Sequence, residues 1–355
     1  MQLPAGTYNI SYGKDMAVVR TKTQWGLLIV LLICLFTVVP LFANGFWLSI
    51  CMSIAIGTIT VHGLNIMFGY CGLPSLGHFG FMAIGAYATA LLTSNYGLPF
   101  WLAIPCAGIA AAIVGGFFGL GALRIKGFYI AVTTLAAQFI IGYIIVTFPD
   151  ITGGIKGIHL PTPKLGSIVF DTDKVFYFIP MVTAVLMTFF ALNLSRSRVG
   201  RAFVAIRDND IAAQAMGIRL FPYKMLAFCI GCFYAGIAGS LLAYQITHIS
   251  AEAFTGGWAL MESIWLLGTL VIGGMGSTVG PIFGVILVEG LRQFSTWAGP
   301  ELSYAFPNMA SSLQAAFSPL LFGIVLMLFL VFEPRGLAHR WWLLKTSYRL
   351  YPFST

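Results

Sequence analysis

Phe100-Trp101-Leu102-Ala103-Ile104-Pro105-Cys106-Ala107-Gly108-Ile109-Ala110-Ala111-Ala112-Ile113-Val114-Gly115-Gly116-Phe117-Phe118-Gly119-Leu120-Gly121-Ala122 reads from end to end without a charged residue. As a helix, about 20 such residues cross a ~30 Å hydrocarbon core. The stretch is continuously apolar and does not alternate, so it predicts a membrane helix rather than a barrel strand. Ten apolar runs occur, most of them without a charge, at 25–43, 46–68, 76–93, 100–122, 128–147, 175–193, 225–247, 258–272, 279–297 and 312–332.

Composition agrees with this reading. The 355 residues are 59% hydrophobic and 8% charged, with a mean hydropathy of +0.90. Soluble domains carry about 25% charged residues, so a water-facing surface cannot be built here and lipid must cover most of the chain. The 40 glycines and 30 phenylalanines suit helices that touch through small residues and turn rings outward. The expected fold is therefore all-α, a polytopic transmembrane helical bundle of about ten spans.

Basic residues set the orientation. With residues 1–24 placed in the cytoplasm, Arg124 and Lys126, the cluster Arg196, Arg198, Arg201, Arg207, Arg219 and Lys224, and the tail residues Arg335, Arg340, Lys345 and Arg349 all fall on the inside. The loops 94–99, 148–174, 248–257 and 298–311 then lie outside. Among these only 148–174 holds Lys, and Asp150, Asp171 and Asp173 balance it. The organisation expected is a cytoplasmic segment 1–24, a membrane domain 25–332 with a cytoplasmic loop 194–224 and an external loop 148–174, and a cytoplasmic tail 333–355. The net charge of +8 follows this topology and is not interleaved with aromatics as a nucleic-acid groove would require.

Catalytic patterns are missing from the sequence. It contains no GxxxxGK[ST] phosphate loop, no HExxH and no GxSxG. Its five histidines lack metal-ligand spacing. Cys34, Cys51, Cys71, Cys106, Cys229 and Cys232 all lie in apolar stretches and read as small packing groups. The expectation is a non-enzymatic chain with no metal and no cofactor of its own.

Several other places stand out. Segments 69–80 and 273–281 are dense in helix breakers, which predicts interrupted helices close to a path through the membrane. Gly72, Ser75, Gly77, His78, Gly274, Gly276 and Gly280 are the candidates there. Glu289 and Arg292 lie three apart and can pair on one helix; Glu289 is a further path candidate. Glu262 sits near the outer interface and can snorkel to water, while His62 and Asn65 share a face suited to interhelical hydrogen bonds. Finally, Asp208 or Asn209 can cap a short cytoplasmic helix ending at Gly217. Its apolar stripe of Ile211, Ala212, Ala215, Met216 and Ile218 is too short to span and offers a docking face. Arg201, Arg207 and Arg219 are placed to pair with acidic groups on a partner.

At this loop the sequence resembles the LivM family of ATP-binding-cassette importer permeases. Asp210, Ala212, Ala213 and Gly217 match the family's ATPase-docking pattern, although the acid is Asp and Ile211 is interposed before the alanines. Ser75 to Phe81 with Gly85-Ala86-Tyr87, Gly127-Phe128-Tyr129 with Thr133, Thr134 and Leu135, Thr152 to Ile158, Gly273 to Pro281 and Glu333-Pro334-Arg335-Gly336-Leu337 follow in the family's order. The resemblance runs from about residue 50 to 337. It implies import of branched-chain amino acids across a bacterial inner membrane, or of urea, amides or aromatic acids, which other members take. The implied partners are a related permease subunit (LivH-like), two ATPase subunits (LivG/LivF-like) that bind ATP and Mg, and a periplasmic amino-acid-binding protein. The coupling role of Arg201, Arg207, Asp210, Ala212, Ala213, Met216 and Gly217 is likewise implied. An ion-coupled secondary carrier is the competing reading of the same apolar chain.

Overall fold

A computed structural model describes residues 22–124, 127, 129–165, 168–305 and 310–350. Lys126, Phe128, Ser167, most of the 1–24 segment and the last residues of the tail lie outside the described residues. Each of the ten expected runs forms a helix: α1 Trp25–Phe42, α2 Gly45–Tyr70, α3 His78–Ser94, α4 Phe100–Ala122, α5 Tyr129–Thr147 and α6 Asp173–Arg196. After two short helices, α7 Arg198–Asp208 and α8 Asp210–Ala215, come α9 Leu220–Ile246, α10 Gly256–Gly273, α11 Gly280–Ala305, α12 Ala310–Phe332 and α13 Leu337–Leu350. Among the described residues, seven helices (α1, α2, α4, α5, α6, α9 and α10) are each long and apolar enough to cross a bilayer. Ala316–Phe332 with Leu337–Thr346, bent by 46°, makes an eighth. The two remaining runs also form helices, α3 of 17 residues and α11, which carries Glu289, Arg292 and Glu301.

The connecting segments gather at two ends. At one end the 158–159 and 248–249 strands pair antiparallel, Ile158 opposite Ile249 and His159 opposite His248, and Ser94 Oγ donates to the His159 carbonyl. The opposite end holds the 69–77 break, α7, α8, the 274–279 break and the turn before α13.

α9 is the hub of the bundle and packs against α2, α3 and α4. The reason is legible in α4. Ala103, Ala107, Ala111, Gly115 and Gly119 recur every fourth residue and form one small-residue ridge, buried against α9. Ile113 and Phe117, on another face, are 68% and 72% exposed; only lipid suits such surface. Cys232 is buried beside Gly115, the packing role expected of it. α3 and α9 approach still more closely: a Cβ added at Gly85 would lie 2.1 Å from the Gly236 carbonyl oxygen. α1 is peripheral. Tyr177 Oη of α6 donates to the Leu35 carbonyl at 3.0 Å, and Phe178 stacks on Phe36.

Gly85→Leu therefore forces two backbones apart and is expected to cost about 1–3 kcal/mol or more. The lipid-facing Ile113→Leu should cost almost nothing. Thermal unfolding of the two purified variants separates them, and an unchanged Tm for Gly85→Leu would show that these helices are not in contact.

Candidate functional site

α2 does not end cleanly. Its last turn, Asn65–Tyr70, widens to π-helical geometry, and the chain runs unwound to His78. Such a break strands backbone groups that hydrocarbon cannot satisfy. The Leu73 amide turns back to the Met67 carbonyl at 2.9 Å, and Pro74 has no N–H, so the Gly69 carbonyl is left without a backbone donor from the residues that follow. Arg207 of α7 supplies one: its Nη1 donates to Gly69 O at 2.6 Å. The same guanidinium reaches Asp208 Oδ1 from Nε at 3.0 Å and from Nη2 at 2.9 Å. Gly72, with φ of +72°, lies against the Arg207 side chain.

The second break is tied to the first by one side chain. Asn65 Nδ2 donates to the Ser277 carbonyl at 2.7 Å, and its Oδ1 accepts from the Gly276 amide at 2.8 Å. Ser277 then caps α11, accepting from the Gly280 amide at 2.9 Å and donating to the Gly274 carbonyl at 3.0 Å. Gly276 has φ of +74°, and a Cβ there would lie 2.8 Å from Arg207 Nη1. A cleft of about 1020 Å³ opens between the two breaks and α13, lined by Gly69, Arg207, Met275, Ser277, Arg335 and Trp341 among others.

The restart of the first helix is held from two neighbours. The Leu76 amide donates to Thr134 Oγ1 of α5 at 3.1 Å. The Phe79 amide donates to Ser263 Oγ of α10 at 3.2 Å, and Ser263 donates on to Gln138 Oε1 at 2.7 Å. Gly77 lets this happen, since a Cβ there would lie 1.9 Å from the Thr134 carbonyl oxygen. His78 Nε2 lies 3.2 Å from the Thr60 carbonyl, and Ser75 is fully buried.

Of the expected site residues, Gly72, Gly274, Gly276 and Arg207 are brought together, with Ser75, Gly77, His78 and Gly280 around them. Three readings are corrected. Arg207 faces inward to the break and does not wait for a partner's acid. Glu289 accepts from Gln293 at 3.0 Å, whereas Arg292 pairs with Glu262, through Oε1 at 2.9 Å and Oε2 at 2.7 Å; a partner on the neighbouring helix replaces both the local pair and the snorkelling Glu262. Of the two residues expected to bond across helices, Asn65 does so, but neither His62 ring nitrogen has a partner among the described residues. The short helix expected to start at Asp208 or Asn209 and end at Gly217 is α8. The Asn209 side chain caps α8 by accepting from the Ile211 and Ala212 amides at 3.1 and 3.0 Å.

The stripe faces outward: Ile211 and Met216 are 74% and 84% exposed and Ala212 and Ala215 are exposed, whereas Ala213, implied as a coupling residue, is buried against its own bundle. Ala213 is thus a packing residue, and an Arg there would disturb the bundle rather than a docking face. Gly217 takes the left-handed turn expected of it, with φ of +87°, and the Ile218 amide returns to the Ala213 carbonyl. Arg201 is exposed and donates to the Arg196 carbonyl at 3.0 Å. Thr134, Gln138 and Ser263 were not marked as site residues; each is a polar group inside an apolar run, the one signal that could have found them.

The family model for the branched-chain amino acid transport system permease component matches residues 46–330. The chain is similar to the high-affinity branched-chain amino acid transport permease LivM of Escherichia coli K12, with 34% identity over 78% of this chain and 66% of that protein. A probable LivM from Methanocaldococcus jannaschii is 26% identical, over 77% of this chain and 88% of its own length. A putative glucose ABC transporter permease of Haloferax volcanii is 30% identical over 52% of this chain and 59% of its own. The chain thus spans a little under two thirds of the E. coli relative. No solved structure matches it.

Removing the Arg207 donor without removing bulk tests the junction. Arg207→Met should raise amide hydrogen exchange in peptides covering 69–80 and 273–281 by about tenfold or more, since a charged hydrogen bond contributes about 1.5–3 kcal/mol. Unchanged exchange in both peptides would mean that Arg207 is not what holds the break.

Proposed function

Since the chain belongs to the branched-chain amino acid transport system permease family, we propose that it is one membrane subunit of an ATP-driven importer of branched-chain amino acids. A related permease completes the translocation path, separate ATPase subunits supply the energy, and an external binding protein delivers the substrate. The observation that carries this is the Arg207 contact. It joins α7, at one end of the bundle, to a broken helix inside it, so a push on α7 or α8 is delivered to the segment where the backbone can change. Ile211 and Met216 present an outward apolar contact on α8, of the kind that anchors a partner's pocket. The substrate follows the names of the two LivM relatives at 34% and 33% identity. Relatives named for glucose and autoinducer 2 match over shorter stretches, so the family's path is not confined to one solute.

We place both termini and the α7–α8 end in the cytoplasm, on the strength of the basic residues there. The 148–172 region, built on Gly153, Gly154 and Gly157 at positive φ, then faces the periplasm as the surface that receives the binding protein.

In proteoliposomes holding all subunits, leucine uptake should require ATP and the ATPases, and this chain alone should move nothing down an ion gradient. Uptake by the isolated chain would instead establish a secondary carrier. Met216→Glu and Ile211→Glu should lower ATPase co-purification while the chain stays inserted; full recovery of the ATPases with both would remove α8 as a docking element. For orientation, an impermeant maleimide should label Asp171→Cys in intact cells and spare Gln214→Cys. The opposite pattern would invert the topology.

A further inference from the structure

Within the apolar spans, Glu262, Glu289 and Arg292 gather in one cleft. The guanidinium of Arg292, paired with Glu262, lies 4.7 Å from the Trp265 ring centroid, and Trp265 stacks on Phe322 at 4.0 Å. Glu289 projects from the same helix one turn earlier. Gln245 of α9 and Ser53 of α2, 3.3 Å apart, close the far wall. The cleft holds about 190 Å³, and Ile56, Leu242, Leu266, Val285 and Val288 supply its apolar lining. Glu262 lies about 9 Å along α10 from the end that carries 247–255.

Arg292 sits at the middle of α11, and a charge at the bilayer centre costs about 2.5–3.5 kcal/mol even on the lenient scale. A pair kept only for packing would be matched and covered. Here Glu289, bonded to Gln293, adds a second carboxylate to a cleft that holds one guanidinium, and the side chains of Arg292 and Glu262 remain 35% and 17% exposed. Lipid cannot be the medium that touches them. This face is therefore open to water or to another subunit, with a guanidinium and a surplus carboxylate presented side by side above an aliphatic wall.

That chemistry is the complement of a free α-amino acid with an aliphatic side chain. The carboxylate fits the guanidinium fork, the ammonium fits the carboxylates, and the hydrocarbon fits the wall. We propose, resting on the importer reading above, that this cleft is half of a binding station for the amino-acid zwitterion in transit. Arg292 takes the α-carboxylate, while Glu262 and Glu289 take the ammonium. On entry the substrate carboxylate replaces Glu262 on Arg292 and the substrate ammonium replaces Arg292 on Glu262, so neither side chain of the pair loses its partner. Binding is weak, as passage requires.

Saturation-transfer NMR on the complete transporter in nanodiscs, without binding protein, tests this with three probes: leucine, 4-methylpentanoate, which lacks the ammonium, and 3-methylbutylamine, which lacks the carboxylate. Leucine should bind about tenfold more tightly than either. Arg292→Gln should lose this preference, and Arg292→Lys should recover part of it. Glu289→Gln should weaken leucine and the amine but leave the acid unchanged, with the complex intact. Equal binding of the three probes, no leucine signal, or leucine binding unmoved in Arg292→Gln would overturn the station. Loss of the partner permease from Glu289→Gln would also overturn it, by making the surplus carboxylate an interface contact. ATP-dependent leucine uptake by the same wild-type preparation keeps the two readings apart. If uptake needs the ATPases while the NMR arms fail, only the station falls.

Discussion

Hydrocarbon offers no hydrogen bonds, so every backbone group that leaves a helix inside this bundle must find a named partner. The rest of the structure follows from how that demand is met at residues 69–78. Asn65 answers for Gly276 and Ser277, Arg207 answers for Gly69, Thr134 for Leu76 and Ser263 for Phe79. These donors and acceptors come from α2, α5, α7 and α10. One unwound stretch therefore fixes the mutual placement of four elements, and a side chain that moves at any of them must release a backbone group the others cannot satisfy. A segment held in this way has few alternative arrangements. It is suited to switching between discrete states rather than drifting among many.

Close packing follows from the same source. Where helices cannot be driven together by excluding water, contact depends on how near their backbones come. The four-residue spacing of Ala103, Ala107, Ala111, Gly115 and Gly119 on α4, and Gly236 against Gly85, set that distance. The large residues are then relegated to the outer surface, which explains why so much of the exposed area is Phe, Ile and Trp.

Much of this was legible in the sequence. Long apolar runs marked all ten helices, because length and apolarity are local properties. Breaker density marked both interruptions, and the glycine at 217 ended α8 as its left-handed conformation requires. Side-chain partners were not legible, because they depend on which helices become neighbours. Glu289 and Arg292 are spaced to pair along α11, but Glu262 of α10 sits closer to the guanidinium. Arg207 looked like a rim charge because the orphaned Gly69 carbonyl is visible only once the chain has unwound at Tyr70. Ala213 could not be told from Ala212, since burial on a six-residue helix depends on which side meets the bundle.

The loose attachment of α1 bears on how the chain is made. Helices reach the bilayer in chain order as synthesis proceeds. α1, at a hydropathy of 2.7 and with almost no buried surface, can partition into lipid without waiting for α2 to α9. α9, with its glycine-rich contact face, emerges only after α2, α3 and α4 are there to receive it. The order of manufacture thus runs from the helix that needs no company to the one that needs the most.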